Sequence, residues 1–163
     1  MKFYYIYSFL LILTLFNCKH KAEILNQNNK EIIEREIRQM FDNYHNDIKK
    51  DGLKAEFKYL DNSSDFFWVP PGYDSALSFD SVKTILLSNS KFIHSIEFSW
   101  DTLQVFPLTN TIANYSGIVN GIMIDTSNTK STFKIIESGT LIKRKDGWKL
   151  LNGQSRNLST IND

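Results

Sequence analysis

The stretch "GTLIKRKDGWKLLNGQSR", Gly139–Arg156, decides the fold. Two apolar-rich runs flank Lys145-Asp146-Gly147. An Asp-Gly pair at such a break signals a tight antiparallel turn, because one turn position needs a positive φ. Beyond Trp148 and Leu150 the second run turns polar, at Asn152, Gln154 and Ser155. By two-residue alternation Trp148, Leu150, Asn152 and Gln154 share a side, and the first two are apolar, so that side is expected to face the core.

This hairpin closes a series. Strand-like runs cover about 92–106, 111–125, 131–144 and 148–156, broken at Pro107-Leu108-Thr109-Asn110, Thr126-Ser127-Asn128 and the Asp-Gly turn. In the first run Ile96, Phe98 and Trp100 share a side with His94. Gly117 and Gly121 on the second predict bends or bulges. Ahead of the strands lies a helix: Ile32, Ile33, Ile37, Met40, Phe41, Tyr44 and Ile48 recur at spacings of three and four. Asn28 or Asn29 supplies its cap, Glu31 and Glu34 suit its positive end, and Asp51-Gly52 stops it. A second helix is expected over Leu53–Leu60, a short strand over Phe66–Val69 ending at Pro70-Pro71, and a third helix capped by Asp80. Helices first and an antiparallel meander afterwards predict an α+β domain.

The outer parts of the chain read differently. Phe3 to Phe16 is an uncharged apolar run of 14 residues behind Lys2. A bilayer span takes ~20 such residues, whereas an export segment takes about 7–15. Leu15-Phe16-Asn17-Cys18 resembles a bacterial lipoprotein box, with Asn17 standing where a small residue is usual. Cys18 is the sole cysteine of the 163-residue chain, so it has no disulfide partner. The expected organisation is a lipoprotein-type signal segment at 1–18, a tether at 19–28, a domain at 29–158 and a tail at 159–163. The resemblance implies export and acylation of Cys18, with the domain held on a bacterial membrane, in the periplasm.

Removal of the leader takes Lys2 alone among the charges, leaving 18 basic against 18 acidic residues. That balance argues against nucleic acid as a partner and leaves the lipid as the only expected link to a membrane. With 42% hydrophobic and 13% aromatic residues the mature chain has ample material for a core.

Ala113 with Gly117, Thr140-Leu141-Ile142 and Asp146-Gly147-Trp148-Lys149, in this order behind three helical segments, resemble the NTF2-like superfamily, nearest its SnoaL-like and ketosteroid-isomerase-like members. The resemblance covers about residues 29 to 158. It implies a cone, in which a curved sheet wraps the first helix around a pocket, and a homodimer through the outer sheet face.

Isomerase-type members of that superfamily use a carboxylate base and acidic hydrogen-bond donors in a dry pocket, where desolvation brings the pKa toward neutrality. Candidate groups here are Asp42, Tyr44, Asp65, His94, Tyr115 and Glu137. Glu137 is in phase with Phe133, Ile135 and Leu141 and therefore points inward. His94 is the histidine with an apolar-face assignment; His45, beside Tyr44, is expected in solvent. Three scattered histidines without a second cysteine make no metal site, no cofactor motif is present, and neither a G-x-S-x-G elbow nor a phosphate-cradling loop occurs.

Trp68, Tyr73, Trp100 and Tyr115, with Asn152 and Gln154, are the candidate lining of a pocket for a small apolar molecule. Trp148 and Phe67 are assigned to the core. The preferred expectation is a ligand-binding or accessory module. The alternatives are an isomerase or cyclase using His94 or Glu137, and an interaction module pairing through the outer sheet face.

Overall fold

The computed structural model describes residues 25–158. The signal segment, Cys18, most of the tether and the tail from residue 159 lie outside them. Among the described residues no helix is long and apolar enough to cross a membrane.

Helix α1 spans Gln27–Asp51. Its cap is Asn26, earlier than the expected Asn28 or Asn29. Asn26 is extended, and its side chain accepts from the Asn29 N–H at 2.8 Å, satisfying one of the free amides of the first turn. Leu25, just upstream, is buried in the core. At the other end Gly52 adopts φ 75° and donates its N–H to the Ile48 carbonyl. The expected second helix is a 3-10 segment, Leu53–Lys58. Helix α2, Phe79–Asn89, is capped by Ser78 in place of Asp80: the Ser78 side chain accepts from the Ser81 N–H, and Asp80 falls inside the first turn.

The strands are β1 (Phe67–Val69), β2 (Ile93–Pro107), β3 (Ile112–Asp125), β4 (Lys130–Arg144) and β5 (Gly147–Asn157). They form one sheet in the order β1-β5-β4-β3-β2. The four long strands make the expected antiparallel meander, and β1 joins β5 in parallel. The chain before β1 explains that direction. Leu150 donates to the Tyr59 carbonyl and accepts from the Asp61 N–H, so residues 59–61 already run alongside β5. Asp61, 5% exposed, then receives two hydrogen bonds from the Arg144 guanidinium, at 2.7 and 2.8 Å. That guanidinium holds the Asp61 carboxyl below its ordinary pKa and fixes the entry to β1.

Bulges set the faces of the sheet. In β5 the register steps from Leu141↔Leu150 to Thr140↔Asn152, leaving Leu151 as an extra residue. One inserted residue reverses the alternation beyond it. Trp148 and Leu150 are buried as expected, but past the bulge it is Gly153 and Ser155 that turn inward. Asn152 and Gln154 lie on the opposite face with Phe67, Val69 and Phe106, which corrects their expected inward placement. A bulge at His94 has the same effect in β2, and one at Asp101 follows Trp100. Phe67 is 42% exposed, because Phe66 and Trp68 take the inward positions of that short strand.

The main core joins Ile37, Phe41, Ala113, Tyr115, Leu141 and Leu150 between α1 and the concave sheet face. Phe41 is fully buried, with its ring centroid 5.0 Å from that of Trp100 and 4.9 Å from that of Tyr115. Close approach explains two glycines. A Cβ on Gly117 would fall 2.6 Å from the Trp100 ring, and one on Gly153 would fall 2.6 Å from the Trp68 ring. Gly153→Ala is expected to cost about 1–3 kcal/mol by overpacking and to push the Trp68 indole off its seat. Urea unfolding with tryptophan fluorescence checks both effects.

Candidate functional site

A cavity of about 280 Å³ opens between the concave sheet, α1, the 3-10 segment and α2. For scale, an apolar cavity of roughly 150 Å³ holds benzene. Its wall is largely apolar, with Leu60, Val82, Ile85, Leu86, Val119 and Ile135 among the lining residues. Trp68, Pro70, Pro71 and Tyr73 complete one side, and Tyr73 is 44% exposed. The Trp68 indole N–H donates to Ser155 Oγ at 3.3 Å, so the side chain that the Leu151 bulge turns inward is the one that fixes this ring.

Four of the polar groups in this wall come from three elements. Helix α1 supplies Tyr44 and His45, the 3-10 segment supplies Glu56, and β4 supplies Glu137. Glu137 lies between Gly117 on β3 and Ser155 on β5, and Tyr115 Oη donates to its Oε1 at 3.2 Å. Burial pushes the Glu137 carboxyl up to about 7, against the lowering effect of the Tyr115 hydrogen bond. Glu56 is pushed up to about 8, chiefly by burial; the neighbouring Tyr44 hydroxyl lowers the value and the charge of Glu137 raises it. Both phenols are themselves driven well above their ordinary range, so they act as hydrogen-bond donors.

His45 is the histidine of the site. Its imidazole lies against Phe98 and Trp100, with ring centroids 5.9 and 5.6 Å away, and burial lowers it to about 4 against the pull of Asp42. At neutral pH it is an uncharged imidazole. The expectation that it faces solvent is corrected by helix geometry: Phe41, His45 and Ile48 follow an i, i+4, i+7 spacing and share the buried stripe. His94, by contrast, is exposed, in a surface depression with Lys49, Lys50 and Lys54 at the far end of α1. The bulge at His94 removes it from the Ile96 face.

Of the expected lining residues, Trp68 and Tyr73 reach the cavity. Trp100 and Tyr115 stand behind its wall, where Trp100 packs on His45 and Tyr115 holds Glu137. The Trp100 indole N–H is buried without a hydrogen-bond partner among the described residues. Asp42 and Asp65 are exposed and outside the cavity. Glu56 is not among the sequence candidates, since "LKAEFK" reads only as part of a short second helix. Only folding of the 3-10 segment over the open end of the sheet buries it. Among the described residues no group of three or more His, Cys, Asp or Glu side chains is placed to hold a metal ion.

No family model matches the chain, and neither does any curated protein. Solved structures do. A candidate scytalone dehydratase from Novosphingobium aromaticivorans DSM 12444 superposes with a TM-score of 0.72 at 15% identity, covering 82% of this chain and 89% of its own. An NTF2-like superfamily protein from Salmonella enterica gives 0.64 at 12% identity over 82% and 96% of the two chains. A hexachlorocyclohexane dehydrochlorinase from Novosphingobium barchaimii LL02 gives 0.62 at 11% identity over 85% and 98%. At these identities the likeness concerns architecture. The curved sheet closed by α1 over an internal cavity is the NTF2-like fold.

Proposed function

We propose that this chain is an exported, lipid-anchored domain whose cavity binds a small, largely apolar molecule and moves protons on it. The reaction class is elimination or isomerisation. The observation that carries the reading is the pair Glu137 and Glu56, two carboxyls titrating near neutrality in one apolar cavity. Between about 7 and 8 Glu137 is largely ionised while Glu56 keeps its proton, so one serves as base and the other as acid. Tyr115 orients the base, and the uncharged His45 contributes a polar edge without a competing charge. Two of the similar structures belong to enzymes named for removing water and hydrogen chloride, which fits the same class.

The test is α-proton exchange of 1-tetralone and 2-tetralone in D2O, followed by proton NMR. Exchange above the buffer rate is expected, rising with pH as Glu137 ionises near 7 and falling as Glu56 ionises near 8. Glu137→Gln should lower it about 100-fold or more. Exchange at the buffer rate for both ketones, or exchange indifferent to that substitution, removes the catalytic reading. The second reading, a binding module without turnover, rests on the apolar wall and then stands alone. For the anchor, mass spectrometry of the mature protein should find an acylated N-terminal Cys18; an unlipidated start beyond it would sink that part.

A further inference from the structure

The carboxyls of the cavity lack something. Its 18 lining residues include Glu56 and Glu137 but no lysine or arginine. The nearby cations are occupied elsewhere: Lys58 pairs with Asp47 at 2.7 Å, and Lys83 sits over the Phe57 ring. The polar neighbours of the two carboxyls are phenols: Tyr115 donates to Glu137, and Tyr44 lies near Glu56. His45 is the one nitrogen base in the wall, and it stays neutral.

A carboxylate in an apolar cavity without a cation is costly, and the cost falls when a positive charge enters beside it. We infer that the molecule taken by this cavity carries a protonated amine, its ammonium seated at Glu137 and Glu56 and its hydrocarbon body against the apolar wall. The charges close. One ammonium, one carboxylate and one carboxylic acid leave the filled cavity neutral, whereas an anionic ligand would add charge of the same sign. Tyr44, Trp68, Tyr73 and Phe98 add aromatic surface of the kind that favours cations. The inference rests on the proton-transfer reading of the same cavity and narrows its substrate to organic ammonium ions. An ammonium near the reacting carbon also makes the proton that Glu137 would remove more acidic.

The experiment is calorimetric titration with 2-phenylethylamine, 2-phenylethanol and phenylacetate, which differ mainly in the charge of one end group. At pH 8 the amine should bind at least tenfold tighter than the alcohol, and phenylacetate should not bind. The titrating groups around the ammonium are Glu137 from β4, Glu56 from the 3-10 segment, and Tyr44 and His45 from α1, with Tyr115 of β3 behind Glu137. Of these the two carboxyls change charge between pH 6 and 8, so protons compete with the amine. Its affinity should fall about tenfold at pH 6, and binding near pH 7 should release protons, read as a heat that depends on buffer. Glu137→Gln should abolish the preference while retaining the alcohol, whereas Glu56→Gln, which replaces the carboxylic acid by a neutral amide, should keep most of it, with circular dichroism verifying the fold of each. Alcohol binding as tight as the amine overturns the ammonium inference and leaves the ketone exchange test unaffected. Failure of all three ligands to bind overturns it as well.

Discussion

Raising the pH from 5 to 8 is expected to destabilise the folded protein by on the order of 5 kcal/mol, an unusual direction for a domain with many acidic groups. The sign follows from the cavity. Glu137 and Glu56 have folded values near 7 and 8, above the ordinary 4.5. The native state therefore binds more protons than the unfolded chain, and their contribution, complete below 4.5, is lost as pH rises through those values. His45 opposes this, because its value is lowered from 6.5 to about 4, so its contribution is present above 6.5 and lost on acidification. Up to pH 6.5 the histidine cancels one of the two carboxyls. The steepest loss falls between 6.5 and 7, where both carboxyls act unopposed, and one continues to 8. Against a typical total of about 5–15 kcal/mol this is a large fraction. Urea unfolding at pH 5, 6.5 and 8 reads it directly. The Glu56→Gln/Glu137→Gln double variant should lose the decline and gain stability with pH up to 6.5, through His45 alone. A wild-type protein equally stable at pH 5 and 8 would show that the carboxyls are not desolvated.

Phe41→Ala is expected to cost about 3–5 kcal/mol, the range for deleting a fully buried phenylalanine. The reason reaches beyond volume. Phe41 packs edge-on against Trp100 and tilted against Tyr115, and those two side chains in turn support His45 and Glu137. The vacated space should let Tyr115 withdraw from Glu137 and admit water. The Glu137 carboxyl would then titrate closer to an ordinary carboxylate, which carbon-13 NMR of labelled glutamate can follow. Phe41→Leu, which keeps most of the volume, should cost less than about 2 kcal/mol and leave that titration near its original position. Equal effects of the two substitutions would mean that the ring does not hold the site.

Much of the architecture was legible because its signals are local and periodic. The α1 stripe from Ile33 to Ile48, the Gly52 stop and the Asp146-Gly147 turn each express a backbone preference that no distant contact overrides. Glu137 was legible for the same reason, since no bulge separates it from Ile135 and Leu141. His45 was readable in principle. A buried stripe wider than its aliphatic residues would have included it.

His94, Asn152 and Gln154 show where alternation stops being informative. Each lies at or beyond a residue inserted into the ladder, and an insertion is a property of pairing between two strands that neither strand carries alone. Glu56 shows a second limit, because a carboxylate on a short polar segment is buried only when that segment closes over a cavity built by other elements. By itself, then, the sequence determined the order of elements, the α+β class and the inward phase of Glu137, all consequences of short-range periodicity. Tertiary structure alone decided that His94 leaves the Ile96 face, that Ser155 and not Gln154 lines the cavity, and that Glu56 faces it beside Glu137. Those outcomes depend on strand register and desolvation, which arise only when distant segments pack.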